Sequence, residues 1–150
     1  MTTISRRTTM TLAAAAMLLP PAVLAAPLRV TLFKNPQCDC CEGYADYLRQ
    51  NGFAVDVVAS NDLVTMARQK GVPKALDGCH ISMIDGYVVI GHVPIEAIRK
   101  LLLERPRIIG ISIPGMPTGL PEMPGPRTEA IAIYEIVAGV GEPKVFMTAS

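Results

Sequence analysis

Three sulfurs fall within four residues at Cys38-Asp39-Cys40-Cys41, and a fourth follows at Cys79. Cys38 and Cys41 have the spacing of a redox dithiol. At the start of a helix, unpaired backbone N–H groups and the helix dipole would stabilise their thiolates. Cys40 is one sulfur more than a dithiol switch needs, and extra soft donors favour a metal. Thiolates select Cu(I) and Zn(II), and zinc sites usually separate their cysteine pairs by a longer segment, so copper is the better match. The competing uses are a thiol–disulfide oxidoreductase, with Cys38 as nucleophile and Cys41 as resolving partner, and two structural bridges, such as Cys38 with Cys41 and Cys40 with Cys79. A bridge between the neighbours Cys40 and Cys41 would be strained.

A nitrogen donor follows from hairpin geometry. Two short apolar runs, Cys79 to Ile84 and Tyr87 to Ile90, flank Asp85-Gly86, a pair that favours a type I′ turn. Ile84 then pairs with Tyr87, and counting back sets Cys79 opposite His92, with Cβ atoms about 4.5–5.5 Å apart on one face. The same alternation turns His80 the other way. Met116 and Met123 are candidate thioether donors, because both sit in an irregular segment able to fold over the cysteines. Methionine is also a routine gap filler.

The elements that must hold these residues follow from pattern. Leu28 to Lys34 alternates as a first strand and breaks at Asn35-Pro36. Asp39 with Glu42 three places later is a capping-box pattern, and Cys41, Tyr44, Ala45 and Leu48 share one helical face, so a helix is expected from Cys40 to the stop at Asn51-Gly52. Phe53 to Val58 is a second strand with Asp56 outward. Ser60 or Asn61 caps a second helix with Leu63, Met66 and Ala67 on one face, ended by Gly71-Val72-Pro73. After the hairpin, Pro94 opens a third helix at its first helical position, with Ile95, Ile98, Leu101 and Leu102 inward, and Pro106 closes it. This order predicts an α/β domain of thioredoxin-like plan: a mixed sheet, parallel between the first two strands and antiparallel at the hairpin, with flanking helices. Five prolines deny regular structure to 114–126. Short C-terminal strands are expected at Ala130 to Val137 and Lys144 to Met147.

Bulk properties narrow the function. The 150 residues are 50% apolar and carry Lys+Arg 14 against Asp+Glu 13, so one domain is expected and no basic field exists for nucleic acid. Arg6 and Arg7 precede an uncharged apolar run, Met10 to Leu19, and Val23-Leu24-Ala25 supplies the small residues of a cleavage site. Residues 1–25 therefore read as an export signal of the twin-arginine or Sec type, and 26–150 as the mature domain, free of the membrane after cleavage. Pro20-Pro21 cut the apolar run too short to span a bilayer. Export places the cysteines in an oxidising compartment.

Cys38-Asp39-Cys40-Cys41, Gly71-Val72-Pro73, Cys79-His80, Gly86-Tyr87, Gly91-His92-Val93-Pro94 and Gly115-Met116-Pro117 together resemble the exported CopG-type copper-resistance family over nearly the whole mature chain. The resemblance implies a thioredoxin-like, periplasmic, metal-binding protein with a copper–sulfur site at Cys38, Cys40, Cys41 and Cys79. His92 joins them as the nitrogen donor, copper ions are the expected ligand, and periplasmic copper-handling proteins are the expected partners. Whether such a protein is also an enzyme stays open. Cys40 and Cys41 point about 100° apart on a helix, which makes wrapping one ion difficult. One Cu(I) on four thiolates would also leave a −3 centre, costly to desolvate, so bridging sulfurs and more than one copper per chain are expected. Lys34 and the helix N-terminus are available to offset part of that charge.

Overall fold

The computed structural model describes residues 26–139 and 141–149; the segment read as an export signal lies outside them. The chain runs β1 (Leu28–Lys34), α1 (Asp39–Gln50), β2 (Phe53–Ala59), α2 (Leu63–Gln69), β3 (His80–Ile84), β4 (Tyr87–Ile90), α3 (Ile95–Glu104), β5 (Gly110–Ser112), β6 (Ile131–Ile136) and β7 (Val145–Ala149). One mixed sheet of order β2-β1-β3-β4-β5-β6-β7 results. β1 and β2 are parallel across the α1 crossover, while β3 lies antiparallel to both β1 and β4. This mixed α/β architecture is the expected one and is compatible with a thioredoxin-like plan.

Alternation sorts each strand between two cores. Val30 and Leu32 of β1, Ile84 of β3, Val89 of β4 and Ile111 of β5 meet Tyr44, Ala45 and Leu48 of α1 and Ile98 and Leu101 of α3. Each such fully buried aliphatic side chain contributes about 1.5–3 kcal/mol. Ile81, Val88, Ile90 and Ile136 take the opposite face with Ala67 of α2, Val72 and Leu76. Asp85 and Gly86 both have positive φ, as a type I′ turn requires.

Several local expectations are corrected. α1 starts at Asp39 with Cys38 as its N-cap, and no side chain caps it. Glu42 does not close a capping box, because its carboxylate pairs with the Lys34 ammonium at 3.0 Å. Asp62, not Ser60 or Asn61, is the N-cap of α2, while the Ser60 hydroxyl accepts from the Asp62 N–H just before it. Pro94 is the N-cap of α3 rather than its first helical residue. β5 was not expected, since three residues between Pro106 and Pro114 are too short to alternate visibly. It pairs parallel with β4 and antiparallel with β6, joining the hairpin to the C-terminal strands. The proline-rich segment 114–126 holds no strand or helix.

Candidate metal centre

The cluster is built at the mouth of β1. Asn35-Pro36 turns the chain: the Cys38 N–H donates to the Asn35 carbonyl at 3.0 Å, and the Gln37 N–H to the Asn35 side-chain oxygen at 3.0 Å. Cys38 thus arrives at the N-terminus of α1. Cys41 lies on the same buried face as Tyr44, Ala45 and Leu48, so the apolar stripe that docks the helix also fixes that sulfur. Lys34 is buried at the end of β1, but Glu42 already answers its charge at 3.0 Å, contrary to its expected role in offsetting the cluster.

Sulfur atoms of Cys38, Cys40, Cys41 and Cys79 all lie within 4.8 Å of one another. Cys38 and Cys41 are joined by a disulfide, while Cys40 and Cys79 are free thiols. A pair of structural bridges is therefore not what forms. The Cys38 and Cys40 sulfurs are 3.5 Å apart, and the Cys41 sulfur sits 3.7 Å from the Cys79 carbonyl oxygen. Burial, then the nearby Cys40, pushes the Cys79 thiol up to about 11, so without a metal it keeps its proton.

A second group shares Cys79. Its sulfur and one nitrogen each from His80 and His92 also lie within 4.8 Å of one another. The Cys79 sulfur is 3.2 Å from His80 Nδ1, and the two imidazoles meet edge to face at 5.2 Å between centroids. His80 was expected to turn away, and the structure corrects this. The β3–β4 ladder holds the predicted register from Ile84↔Tyr87 to Ile81↔Ile90 and ends there. Gly91, at φ +78°, swings the chain out of the ladder before His92. Strict alternation past Ile90 would leave His92 on the α2 face, whereas the kink brings it over the α1 face, where His80 already points beside Ser82 and Ile84. Cys79, just before β3, is likewise outside the ladder. Cys79 and His92 do converge, but not as strand partners.

Tyr44 is a site residue that the sequence did not mark, its helical position reading simply as core. Its ring packs against His80 at 4.7 Å and His92 at 5.0 Å, and its hydroxyl donates to the Val93 carbonyl at 2.8 Å. His92 Nδ1 lies 2.7 Å from the Pro121 carbonyl oxygen. Among the described residues, the Nε2 atoms of both buried imidazoles have no hydrogen-bond partner. Burial, then the neighbouring His92, lowers His80 to about 3; burial likewise lowers His92, partly opposed by the Pro121 carbonyl and the Glu122 carboxylate. Both rings are therefore held neutral, as metal-binding imidazoles must be.

Met116 is exposed and lines an open cleft with Cys79 and Gly115, whereas Met123 packs against the main core. Tyr87 does structural work, donating to the Pro106 carbonyl at 3.0 Å. Among the described residues, no helix is long and apolar enough to cross a membrane.

This α/β domain gathers four sulfurs and two neutral imidazoles at one sheet end, a donor set that could hold a metal ion. The profile of a family described as protein of unknown function, DUF411, matches residues 76–123, the stretch that carries Cys79, His80 and His92. Solved structures of copper resistance protein CopG align over almost their whole length. Form 2 is 34% identical with a TM-score of 0.75, covering 83% of this chain and 99% of that one. Form 1 is 34% identical with a TM-score of 0.74, covering 82% and 98%. The chain belongs to the CopG family of copper resistance proteins. No curated protein matches it.

Proposed function

We propose that this chain is a periplasmic copper-binding protein of copper resistance or handling, which holds Cu(I) as a thiolate-bridged multi-copper site on Cys38, Cys40, Cys41 and Cys79, with His92 as nitrogen ligand. The observation that carries this reading is the gathering of four sulfurs within 4.8 Å, a donor set soft enough to prefer Cu(I). The buried Nε2 of His92, without a protein partner, supports its place beside them. Loading requires the Cys38–Cys41 bond to open, taking two electrons and two protons from a thiol reductant, which leaves as its own disulfide. Residues 1–25 act in this reading as the export signal, with the mature chain beginning at Ala26, and periplasmic copper-handling proteins exchange ions with it. Anaerobic Cu(I) titration of the reduced chain, followed by desalting and metal analysis, is expected to retain at least two ions per protein. Saturation at one ion refutes the bridged cluster, and no retained copper refutes the reading as a whole.

One observation favours a second reading. The disulfide joins the two cysteines, Cys38 and Cys41, that a thiol–disulfide oxidoreductase would use, with Cys38 at the helix N-terminus. Turnover of a small disulfide substrate that depends on Cys38 but not on Cys79 would favour that activity over copper holding.

A further inference from the structure

The disulfide removes two of the four sulfurs from the thiolate cluster and touches neither imidazole. What it leaves intact is a compact set of one thiol and two imidazoles, all within 4.8 Å, on Cys79 just before β3, His80 at its start and His92 in the kink that follows β4. Two independent features mark this set as more than core packing. His80 is fully buried and His92 is 2% exposed, yet the Nε2 of each lacks a protein partner. Leaving such a nitrogen unpaired costs about 1–3 kcal/mol, so two of them buried side by side call for a partner. His92 also shows the outer contact typical of a ligating histidine: Nδ1–H donates to the Pro121 carbonyl, which leaves Nε2 as the ring's free donor to a metal. The Tyr44 ring packs, tilted, against both imidazoles, which limits their rotation.

We infer that Cys79, His80 and His92 form a second metal site, for a borderline-soft divalent ion of the zinc(II) type, which stays available while Cys38 and Cys41 are disulfide-bonded. Two imidazoles and one thiolate are harder than four thiolates and suit a divalent ion better than Cu(I). Binding displaces the Cys79 proton to solvent and leaves the centre at +1. The Glu122 carboxylate, which acts on His92 through space, lies on the favourable side of that charge. This site does not depend on the Cu(I) reading, since it needs neither Cys38 nor Cys41 as a thiolate.

The test uses the purified chain without reductant, with two free thiols verified by titration, and Co(II) under argon as probe. One Co(II) per chain is expected, with a thiolate-to-cobalt charge-transfer band in the near ultraviolet that zinc(II) abolishes by displacement. Cys79→Ser should remove the band. His80→Asn and His92→Gln should each weaken binding at least tenfold. Binding that is unchanged in His92→Gln or in Cys79→Ser overturns the site, as does the absence of any Co(II) binding. If His80→Asn does not fold, the pair His92→Gln and Cys79→Ser still decides. Cu(I) titration of the reduced chain is a separate arm, so failure here and failure of the copper reading are distinguishable.

Discussion

His92 is tied by its Nδ1 to the carbonyl oxygen of Pro121, 29 positions further along, at 2.7 Å. The contact reaches from the kink after β4 into the proline-rich segment, and it fixes which nitrogen of the ring is free. It gives 114–126 a role that its composition alone does not reveal: one of its carbonyls sets the tautomer of an imidazole beside the cysteine cluster.

Acid should weaken the fold without metal. His80 takes up a proton only near 3 when folded, against an ordinary value of 6.5, so the unfolded chain binds more protons between those limits. The contribution is therefore complete above about pH 6.5 and is lost as pH falls toward 3, with a slope of up to about 1.4 kcal/mol per pH unit from this group. Urea midpoints measured at pH 7 and pH 5 should fall with acidity. Equal midpoints would show that His80 is not desolvated as described.

Cu(I) affinity should drop on acidification as well, for a different reason. The Cys79 thiol, pushed up to about 11, holds a proton at every pH below that value, and a metal must displace it. This residue alone should lower the affinity about tenfold per pH unit between pH 8 and pH 6. Competition with a Cu(I) chelator of known affinity across that range checks the slope, and a flat profile contradicts it.

Two glycines of positive φ should separate turn strain from site geometry. A Cβ at Gly86 meets nothing within 4 Å, so Gly86→Ala should cost about 1–2 kcal/mol of backbone strain and leave metal binding unchanged. A Cβ at Gly91 would stand 2.4 Å from the Ile113 carbonyl oxygen, a backbone atom, so Gly91→Ala must move the kink that delivers His92. It should lose more stability and weaken Co(II) binding. Denaturation and Co(II) titration of both variants give the comparison.

Tyr44 offers a parallel separation of hydrogen bond from ring. Tyr44→Phe leaves the Val93 carbonyl without its donor and should cost about 1–3 kcal/mol, while the ring still packs on both imidazoles. Tyr44→Leu also removes the ring and should weaken Co(II) binding several-fold beyond Tyr44→Phe. Equal binding by the two variants would mean that the ring does not position the histidines.

What the residues alone reveal depends on how local the signal is. Asp85-Gly86 and the Cys41, Tyr44, Ala45, Leu48 spacing are short-range patterns, and the hairpin register and the α1 core face follow them closely. The four cysteines could be grouped because three are neighbours in sequence. Alternation carried through Gly91 sets His92, not His80, on the wrong face, because one positive φ there follows the end of the ladder and reverses the face; His80 keeps the face of Ser82 and Ile84. Tyr44 and Pro121 escaped notice because their roles are tertiary: a ring face and a backbone carbonyl carry no sequence signature. The Asp39–Glu42 capping pattern says nothing of Lys34, which reaches Glu42 from a strand.

Cys79 belongs to both donor groups, and this has a thermodynamic consequence. Two ions that draw on one sulfur cannot have independent affinities: whatever factor the first imposes on the second, the second imposes on the first. If the sulfur serves one ion at a time the coupling is antagonistic, and a divalent ion on the histidine side raises the free Cu(I) needed to fill the thiolate side by the same ratio as the reverse. If the sulfur bridges, the sign inverts and filling becomes concerted. The shared Cys79 sulfur, with His92 called on by both sites, thus sets whether the two metals exclude or recruit each other.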